Sequence, residues 1–256
     1  MFFEYLVSEV NHMVFRKAFN QFLLIVLFLL GGLFAGEATP AISQGKSQRA
    51  AGGGLSVLQP VYAPLAEQIV ADFGLAEKEG IGIDLGSGPG NLIIELCRRT
   101  KKLRWINADI DSGVFPGFMS RAHEAGFDAR VSAIYADAVH LPFRDNYADI
   151  ITSRGSFQFW SNLQTAFAEI YRVLKPGGVA FIGRGFPDSL PAELAANIRA
   201  QQREGGFMPD YDVSATAGEM KRIMEYLKIE DYRIRIPKPL AAENVNYGIW
   251  IEFHKK

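Results

Sequence analysis

The sequence predicts an α/β fold in which helices cover both faces of a mostly parallel, seven-stranded sheet that ends in an antiparallel edge pair. From about residue 56, short apolar runs alternate with helix-like segments, as crossover connections between parallel strands require. The first run ends in a glycine-rich turn. Pro237 and Pro239 separate the last two runs, and prolines are tolerated at a sheet edge but not in its middle.

Periodicity places the elements in order. Apolar residues recur at helical spacing at Leu65, Ile69, Val70 and Phe73, and Gly74 follows where that helix would end. The same reasoning predicts helices over 64–73, 91–99, 120–126, 163–174, 189–204 and 214–227. Short apolar and β-branched runs predict strands over 80–85, 103–108, 129–135, 148–152, 178–183, 232–236 and 247–254.

Composition narrows the class of protein. The chain has 256 residues, 48% hydrophobic and 21% charged, which excludes a disordered tail, a collagen-like repeat and a polytopic membrane protein. With 27 Lys+Arg against 28 Asp+Glu, it has no general attraction for polyphosphate, so we expect no nucleic-acid partner. Cys97 is the single cysteine, which excludes an internal disulfide and a cysteine-based zinc site. We interpret it as a packing residue and expect no metal.

The N-terminal region carries a signal-like segment. Residues 22–35 (FLLIVLFLLGGLFA) contain no charge and follow Arg16 and Lys17. The run is nearer the length of the apolar part of a signal peptide than the roughly 20 residues of a spanning helix. Cleavage and a short membrane anchor are both open, and Met13 is an alternative start. The sequence thus divides into a signal-like or anchor segment (1–38), a linker (39–55) and one domain of the size of a catalytic domain (56–256).

The first predicted strand ends in residues 84–91, DLGSGPGN. Gly86, Gly88 and Gly90 permit a tight turn against which a ligand can lie, and the following helix presents its N-terminus to an anionic group. The dinucleotide fingerprint needs a further glycine one position later, which is Asn91 here. This spacing weakens a pyrophosphate-binding interpretation.

Two aspartates follow the next two strands. Asp109 ends the second strand, where a carboxylate can accept hydrogen bonds from ribose hydroxyls. Asp111 is close enough to compete, and we favour Asp109. Asp137 follows the third strand and could accept from an exocyclic amine. Because the carboxyl ends of parallel strands share one edge, these groups and the glycine turn predict a single ligand site.

A family resemblance rests on these residues taken together. It is carried by residues 84–91, 108–111, 136–143 and the EIYRVLKPGG segment at 169–178. In this order they resemble the class I S-adenosylmethionine-dependent methyltransferases, especially the small-molecule branch that includes ubiquinone/menaquinone-biosynthesis C-methyltransferases. The resemblance covers nearly all of residues 57–256 and implies a Rossmann-like fold with S-adenosylmethionine as cofactor. We interpret the KPGG part as a turn before the fifth strand, without chemistry.

The resemblance also implies roles for particular residues. The glycine turn and Asp84 would surround the methionine part of the cofactor, Asp109 would hold the ribose and Ile110 would pack on the adenine. Tyr62 would reach the cofactor or serve in packing. The implied cofactor-binding residues are Tyr62, Asp84, Gly86, Ser87, Gly88, Gly90, Asp109, Ile110, Asp137 and Ala138.

The fourth strand leads into residues 152–160, TSRGSFQFW. Enzymes that methylate amino groups of DNA and protein typically carry an Asn/Asp-Pro-Pro-Tyr-like motif there, so its absence argues against amine targets. Ser153, Arg154 and Gln158 are the candidate catalytic residues, because we expect their polar groups to lie close to the methyl group of the cofactor. Ser156 is a further polar candidate, and the rings of Phe157, Phe159 and Trp160 could face the sulfonium or belong to the core. His140 lies on a loop near the expected edge of the cofactor. Arg184 could bind an anionic substrate or face solvent.

Methyl transfer from a sulfonium is an in-line displacement that chiefly needs alignment and exclusion of water. The expected function is methyl transfer from S-adenosylmethionine to a small-molecule or lipid-like acceptor. The alternatives are a nicotinamide-dependent oxidoreductase and a non-catalytic, membrane-tethered binding protein. Since S-adenosylmethionine is made in the cytosol, we expect association with the membrane through residues 22–35 and a cytoplasmic catalytic domain, the alternative being export after signal cleavage.

Overall fold

The computed structural model describes residues 57–205, 212–237 and 245–256. The predicted signal-like segment and linker lie outside these ranges. Within them, no helix is both long and apolar enough to cross a membrane.

The described part of the chain alternates helices and strands as the sequence predicts. The helices are α1 (Gln59–Asp72), α2 (Asn91–Arg99), α3 (Phe115–Glu124), α4 (Leu163–Val173), α5 (Ala192–Glu204) and α6 (Val213–Leu227). The strands are β1 (Glu79–Leu85), β2 (Lys102–Asp109), β3 (Val131–Tyr135), β4 (Ala148–Arg154), β5 (Leu174–Gly185), β6 (Tyr232–Arg235) and β7 (Gly248–His254). Short 3₁₀ turns span Ser112–Val114, Asp128–Arg130 and Phe157–Phe159.

All seven strands form one sheet in the order β3-β2-β1-β4-β5-β7-β6. Strands β1 to β5 pair in parallel, whereas β7 is antiparallel to both β5 and β6. The predicted sheet, including its antiparallel edge pair, is therefore confirmed. Strand order reverses beside β1, and ligands of open α/β sheets bind at the carboxyl ends of strands at such a switch point.

Prolines explain where several boundaries differ from the prediction. Helix α1 starts five residues before the predicted position, with Pro60 in its first turn and Pro64 inside it. Helix α3 likewise starts at Phe115 with Pro116 in its first turn, not at residue 120. A proline in the first turn fits because its missing N–H has no intrahelical partner there. Helix α5 starts after Pro191 rather than at residue 189.

The predicted KPGG turn is part of β5. Leu174 pairs with Ala148 and Val179 pairs with Ile150, so the pairing of β5 with β4 shifts register between these positions. The strand therefore begins directly after α4, four residues before the predicted start. Pro176 and the two following glycines do mark an irregular stretch of backbone, but the prediction of a turn before the strand is wrong.

Helices cover both faces of the sheet with separate apolar clusters. One cluster combines residues of α1, α2 and α3, and the other combines residues of α4 and α6. Cys97 of α2 is 2% exposed and lies in the first cluster. Burial raises the pKa of its thiol to about 11, so the thiolate is scarce at neutral pH. Cys97 is a packing residue, as predicted.

An ion-paired clamp joins α4 to the loop after β3. Glu169 accepts a hydrogen bond from the Leu141 amide at 2.9 Å. Arg172 donates to the carbonyl oxygens of Leu141 (3.1 Å) and Phe143 (2.8 Å), to Asp145 (2.7 Å) and to both oxygens of Glu169. The hydrogen bond from Arg172 holds the pKa of Glu169 below its usual value. The EIYR part of the EIYRVLKPGG segment thus fixes the loop that follows Asp137.

We expect Arg172→Met to lower the free energy of unfolding by about 2 to 3 kcal/mol, because the methionine keeps the aliphatic stem but leaves two loop carbonyls and Glu169 without their charged donor. Urea unfolding at neutral pH measures the change. Lys221→Met is the control, since its 3.8 Å pair with Glu225 is exposed on both sides and should contribute less than about 0.5 kcal/mol. A loss below 1 kcal/mol for Arg172→Met would contradict the clamp.

Candidate functional site

The glycine turn joins β1 to α2 at the carboxyl edge of the sheet. Gly86, Gly88 and Gly90 have φ values of 63°, 55° and 75°, a left-handed conformation that disfavours any residue with a Cβ. Space adds a second constraint at two of them. A Cβ on Gly86 would overlap Ser156, and one on Gly90 would overlap the ring of Phe118. The turn is therefore packed directly against Ser156 and Phe118, with no room for larger residues at Gly86 and Gly90.

Two side chains from β2 hold the middle of this turn. Asp109 Oδ2 accepts a hydrogen bond from the Gly88 amide at 2.7 Å, and Asn107 Nδ2 donates to the Gly88 carbonyl at 2.9 Å. Asn107 and Asp109 are 0% and 1% exposed. Sequence reasoning missed Asn107, although a polar residue two positions before Asp109 in a buried strand shares its face of the sheet.

Asp109 and Asp111 differ in what their side chains hold. Asp111 caps the 3₁₀ turn at Ser112–Val114, because its Oδ1 accepts from the Gly113 amide at 2.9 Å. The Asp111 amide in turn donates to Asp109 Oδ1 at 2.9 Å. Backbone donors on both sides therefore fix the orientation of the Asp109 carboxylate, and a carboxylate offers about four acceptor positions.

Asp84 lies at the base of the turn and is 2% exposed. Its Oδ1 accepts from the Thr152 hydroxyl of β4 at 2.7 Å. Burial raises the pKa of the carboxyl to about 6, and hydrogen bonding from Thr152 opposes that rise. Since the charged form is held in a poorly solvated place, Asp84 is a strong candidate for a cationic ligand group.

Asp137 lies on the loop that follows β3, beside the loop of Asp109. The Ala136 amide donates to the Asp109 carbonyl at 3.0 Å, which brings the two loops together. Asp137 Oδ1 accepts from the Val139 amide at 3.1 Å, and Ala138 is buried. Ile110, by contrast, is 56% exposed. An exposed apolar side chain directly after Asp109 suits the face of an aromatic base.

The serines after β4 support the glycine turn. The hydroxyls of Ser153 and Ser156 lie 2.8 and 3.0 Å from the Leu85 carbonyl oxygen and 2.6 Å from each other. Both are at most 4% exposed. Their hydrogen bonds tie the end of β4 to the end of β1, which positions the turn.

The other candidate residues are either buried or exposed. Phe157 and Trp160 pack on the core, while Phe159 is exposed. Arg184 is buried, so the expectation that it could face solvent is wrong.

Tyr62 is 7% exposed in the apolar cluster of α1 and α2, and the Arg154 guanidinium lies 5.4 Å from its ring centre. Packing is thus one role of Tyr62.

A cleft opens beside the turn that follows β4. It has a volume of about 780 Å³ and lies between the Phe157–Phe159 turn, the start of α4 and helix α6. Its lining mixes aromatic, amide and charged side chains, among them Phe157, Gln158, Trp160, Glu219, Arg222 and Tyr226. This volume is in the range typical of small-molecule sites. The Gln158 side chain donates to the Gly155 carbonyl at 2.8 Å, and its buried Oε1 has no hydrogen-bond partner among the described residues.

Several known proteins are similar to this chain. A methyltransferase domain family matches residues 83–182. The chain is 30% identical over 96 residues to a ubiquinone/menaquinone biosynthesis C-methyltransferase of Dinoroseobacter shibae, covering 38% of each protein. It is 35% identical over 118 residues to a malonyl-[acyl-carrier protein] O-methyltransferase of Geobacter sulfurreducens, covering 46% of this chain and 43% of that protein. The match spans less than half the length of these curated relatives.

A solved structure matches over a longer region. It is that of a putative S-adenosyl-L-methionine-dependent methyltransferase from Methanococcus maripaludis, with a TM-score of 0.68 and 30% identity. The match covers 79% of this chain and 89% of that one.

We expect Gly90→Ala to destabilise the fold and distort the turn, because the new methyl group meets the buried Phe118 ring as well as an unfavourable φ. Gly126→Ala is the matched control, since Gly126 has the same φ of 75° but nothing within 4 Å of a Cβ. The control isolates the backbone strain of about 1 to 2 kcal/mol. Urea unfolding of both variants should show an additional loss of at least about 1 kcal/mol for Gly90→Ala; equal losses would contradict the overlap.

Proposed function

Because the chain belongs to the S-adenosylmethionine-dependent methyltransferases, we propose that it transfers the methyl group of S-adenosylmethionine to a small-molecule or lipid-like acceptor. The observation that carries this proposal is the 2.7 Å hydrogen bond between Asp109 and the Gly88 amide. It supports the proposal because the carboxylate that we assign to the ribose is held directly beside a turn of three left-handed glycines.

The residues present fit the donor. We propose that residues 86–90 receive its methionine part, with Asp84 accepting from the amino group. Asp109 then binds the ribose hydroxyls, and Ile110 with Asp137 and Ala138 borders the adenine. The exposed Ile110 supports this arrangement, because covering it removes apolar surface from water. When bound, the donor supplies an electrophilic methyl group on a sulfonium.

The rest of the site would position the acceptor. We propose that the cleft beyond Phe157 contributes to its binding, since that cleft begins at the loop after β4, next to the turn. The named relatives are a C-methyltransferase and an O-methyltransferase, so the likeness by itself does not select the atom that is methylated. Aligning the acceptor and excluding water are the main demands of an in-line displacement.

We expect S-adenosylhomocysteine to bind roughly 10-fold more tightly at pH 7 than at pH 5. Asp84 has a pKa raised to about 6, so lowering the pH protonates it and removes its attraction for the ligand's ammonium. Isothermal titration at pH 5, 6 and 7 measures this. Asp84→Asn should bind weakly with little dependence on pH over this range.

Two further titrations complete this test. Asp109→Asn should weaken binding of S-adenosylhomocysteine at every pH, whereas Asp111→Asn, which alters only the cap of a 3₁₀ turn, should change it little. NAD is the control ligand for the oxidoreductase alternative. Binding of NAD, or no binding of S-adenosylhomocysteine or S-adenosylmethionine by the natural sequence, would remove the proposed function.

We also propose that residues 22–35 hold the protein at the membrane with its catalytic domain in the cytoplasm. The uncharged apolar run supports attachment, and the cytosolic origin of the methyl donor supports this side of the membrane.

Cell fractionation tests this location. The full chain should sediment with membranes, resist a salt wash, dissolve in detergent and retain its N-terminus, because apolar contacts survive high salt. A chain beginning at Thr39 should remain soluble. A soluble, exported product of the full chain that begins near Thr39 would contradict membrane attachment.

A further inference from the structure

Arg154 is a cationic side chain with few partners inside the protein. It is the last residue of β4, and its side chain is partly buried. One terminal nitrogen donates a long hydrogen bond of 3.4 Å to the Gly185 carbonyl, and the buried Nε has no hydrogen-bond partner among the described residues. No described carboxylate lies within ion-pair distance of this guanidinium. A guanidinium has five N–H donors, so this one long hydrogen bond leaves its terminal nitrogens able to bind a ligand.

Strand register places Arg154 at the ligand-binding edge. It pairs with Gly183 of β5 and lies two residues beyond Thr152, the partner of Asp84 in β1. Its guanidinium lies 5.4 Å from the ring centre of Tyr62, so an aromatic face supports it from α1. Of the five influences on the pKa of Asp84, that of Arg154 is the smallest. Arg154 is therefore poorly explained as the counterion of Asp84.

The chemistry of this edge favours an anionic acceptor. A guanidinium only donates hydrogen bonds, remains charged at all physiological pH values and matches a carboxylate through two parallel N–H groups. It cannot remove a proton. Residues 155–160 (GSFQFW) contain no His, Asp, Glu, Lys or Cys, and the hydroxyls of Ser153 and Ser156 are held against Leu85. The segment that follows β4 thus supplies no general base, and an acceptor that arrives deprotonated, as a carboxylate does at neutral pH, needs none.

We propose that the acceptor is a small carboxylic acid, and that Arg154 binds the carboxylate whose oxygen is methylated. This inference rests on the proposed function. One carboxylate oxygen donates a lone pair to the methyl carbon and forms the O–CH₃ bond of a methyl ester. The bond between that carbon and sulfur breaks, and its electron pair stays on sulfur, which becomes a neutral thioether. No proton moves, so no general base is required.

Methyl-labelled S-adenosylmethionine tests the acceptor class directly. The probes are straight-chain carboxylic acids of four to twelve carbons, each with the alcohol and primary amine of equal length, and a small-molecule extract of cells that express the chain. We expect label to enter acids only and to be released as methanol by mild alkali, because esters hydrolyse and N-methyl or C-methyl groups do not. Alkali-stable product, or no labelled acid from either source, would overturn the inference.

Variants test the role of Arg154. Arg154→Met should raise KM for the best acid about 10- to 100-fold, the range expected for losing a charged hydrogen-bonding partner, and change kcat less. Arg154→Lys should retain part of the affinity. The dissociation constant of S-adenosylhomocysteine should stay within about twofold in both. Arg104→Met, at an exposed position of β2, is the control, and thermal unfolding verifies that each variant is folded.

The arms distinguish three failures. If Arg154→Met weakens S-adenosylhomocysteine as much as the acid, Arg154 binds the carboxylate of the donor and the inference is wrong. If Arg154→Met leaves KM for the acid unchanged, Arg154 has no role in acceptor binding. If the natural sequence binds no S-adenosylhomocysteine, the proposed function itself fails.

Discussion

The site depends on the attachment of Gly88 to the second strand. Asn107 binds its carbonyl and Asp109 binds its amide, so both backbone groups of the turn's central glycine are held by one face of β2. Three left-handed glycines at alternate positions would otherwise leave a loop with many accessible conformations. Fixing the turn also fixes Asp109, because the same hydrogen bond orients the carboxylate. The glycine turn and the carboxylate that we propose for the ribose are thus a single unit.

Local sequence signals identified most of this unit, and long-range contacts account for what was missed. The bounds of α2 agree with the prediction at both ends, because the glycine turn and the following apolar spacing are written in consecutive residues. Asp109 was found because it ends a recognisable strand. Asn107 and Arg172 act on atoms 19 and 31 residues away, so their roles depend on strand order and helix packing, which periodicity alone does not give. The polar character of Asn107 within a buried strand was the only available signal.

Asp84 shows that function and stability compete in this turn. Its pKa rises from 3.8 to about 6 on burial, so the unfolded chain releases this proton more readily than the folded one. The contribution of Asp84 to folding therefore becomes less favourable as pH rises from about 3.8 through about 6. An asparagine could accept from Thr152 without that cost. A carboxylate at this position is understandable if it meets a cation, and the ammonium of an amino-acid ligand is such a group.

The end of β4 divides its polar residues between two tasks. Ser153 and Ser156 are turned toward Leu85, where their hydroxyls support the turn on β1. Alternation along a strand sends neighbouring side chains to opposite faces, so Arg154 is free of that framework and reaches toward Tyr62 and Gly185 instead. A side chain that only donates hydrogen bonds selects for oxygen anions and against ammonium groups. The two proposed roles therefore fall to three residues of one short stretch: Ser153 and Ser156 support the glycine turn, and Arg154 is left to meet the proposed acceptor.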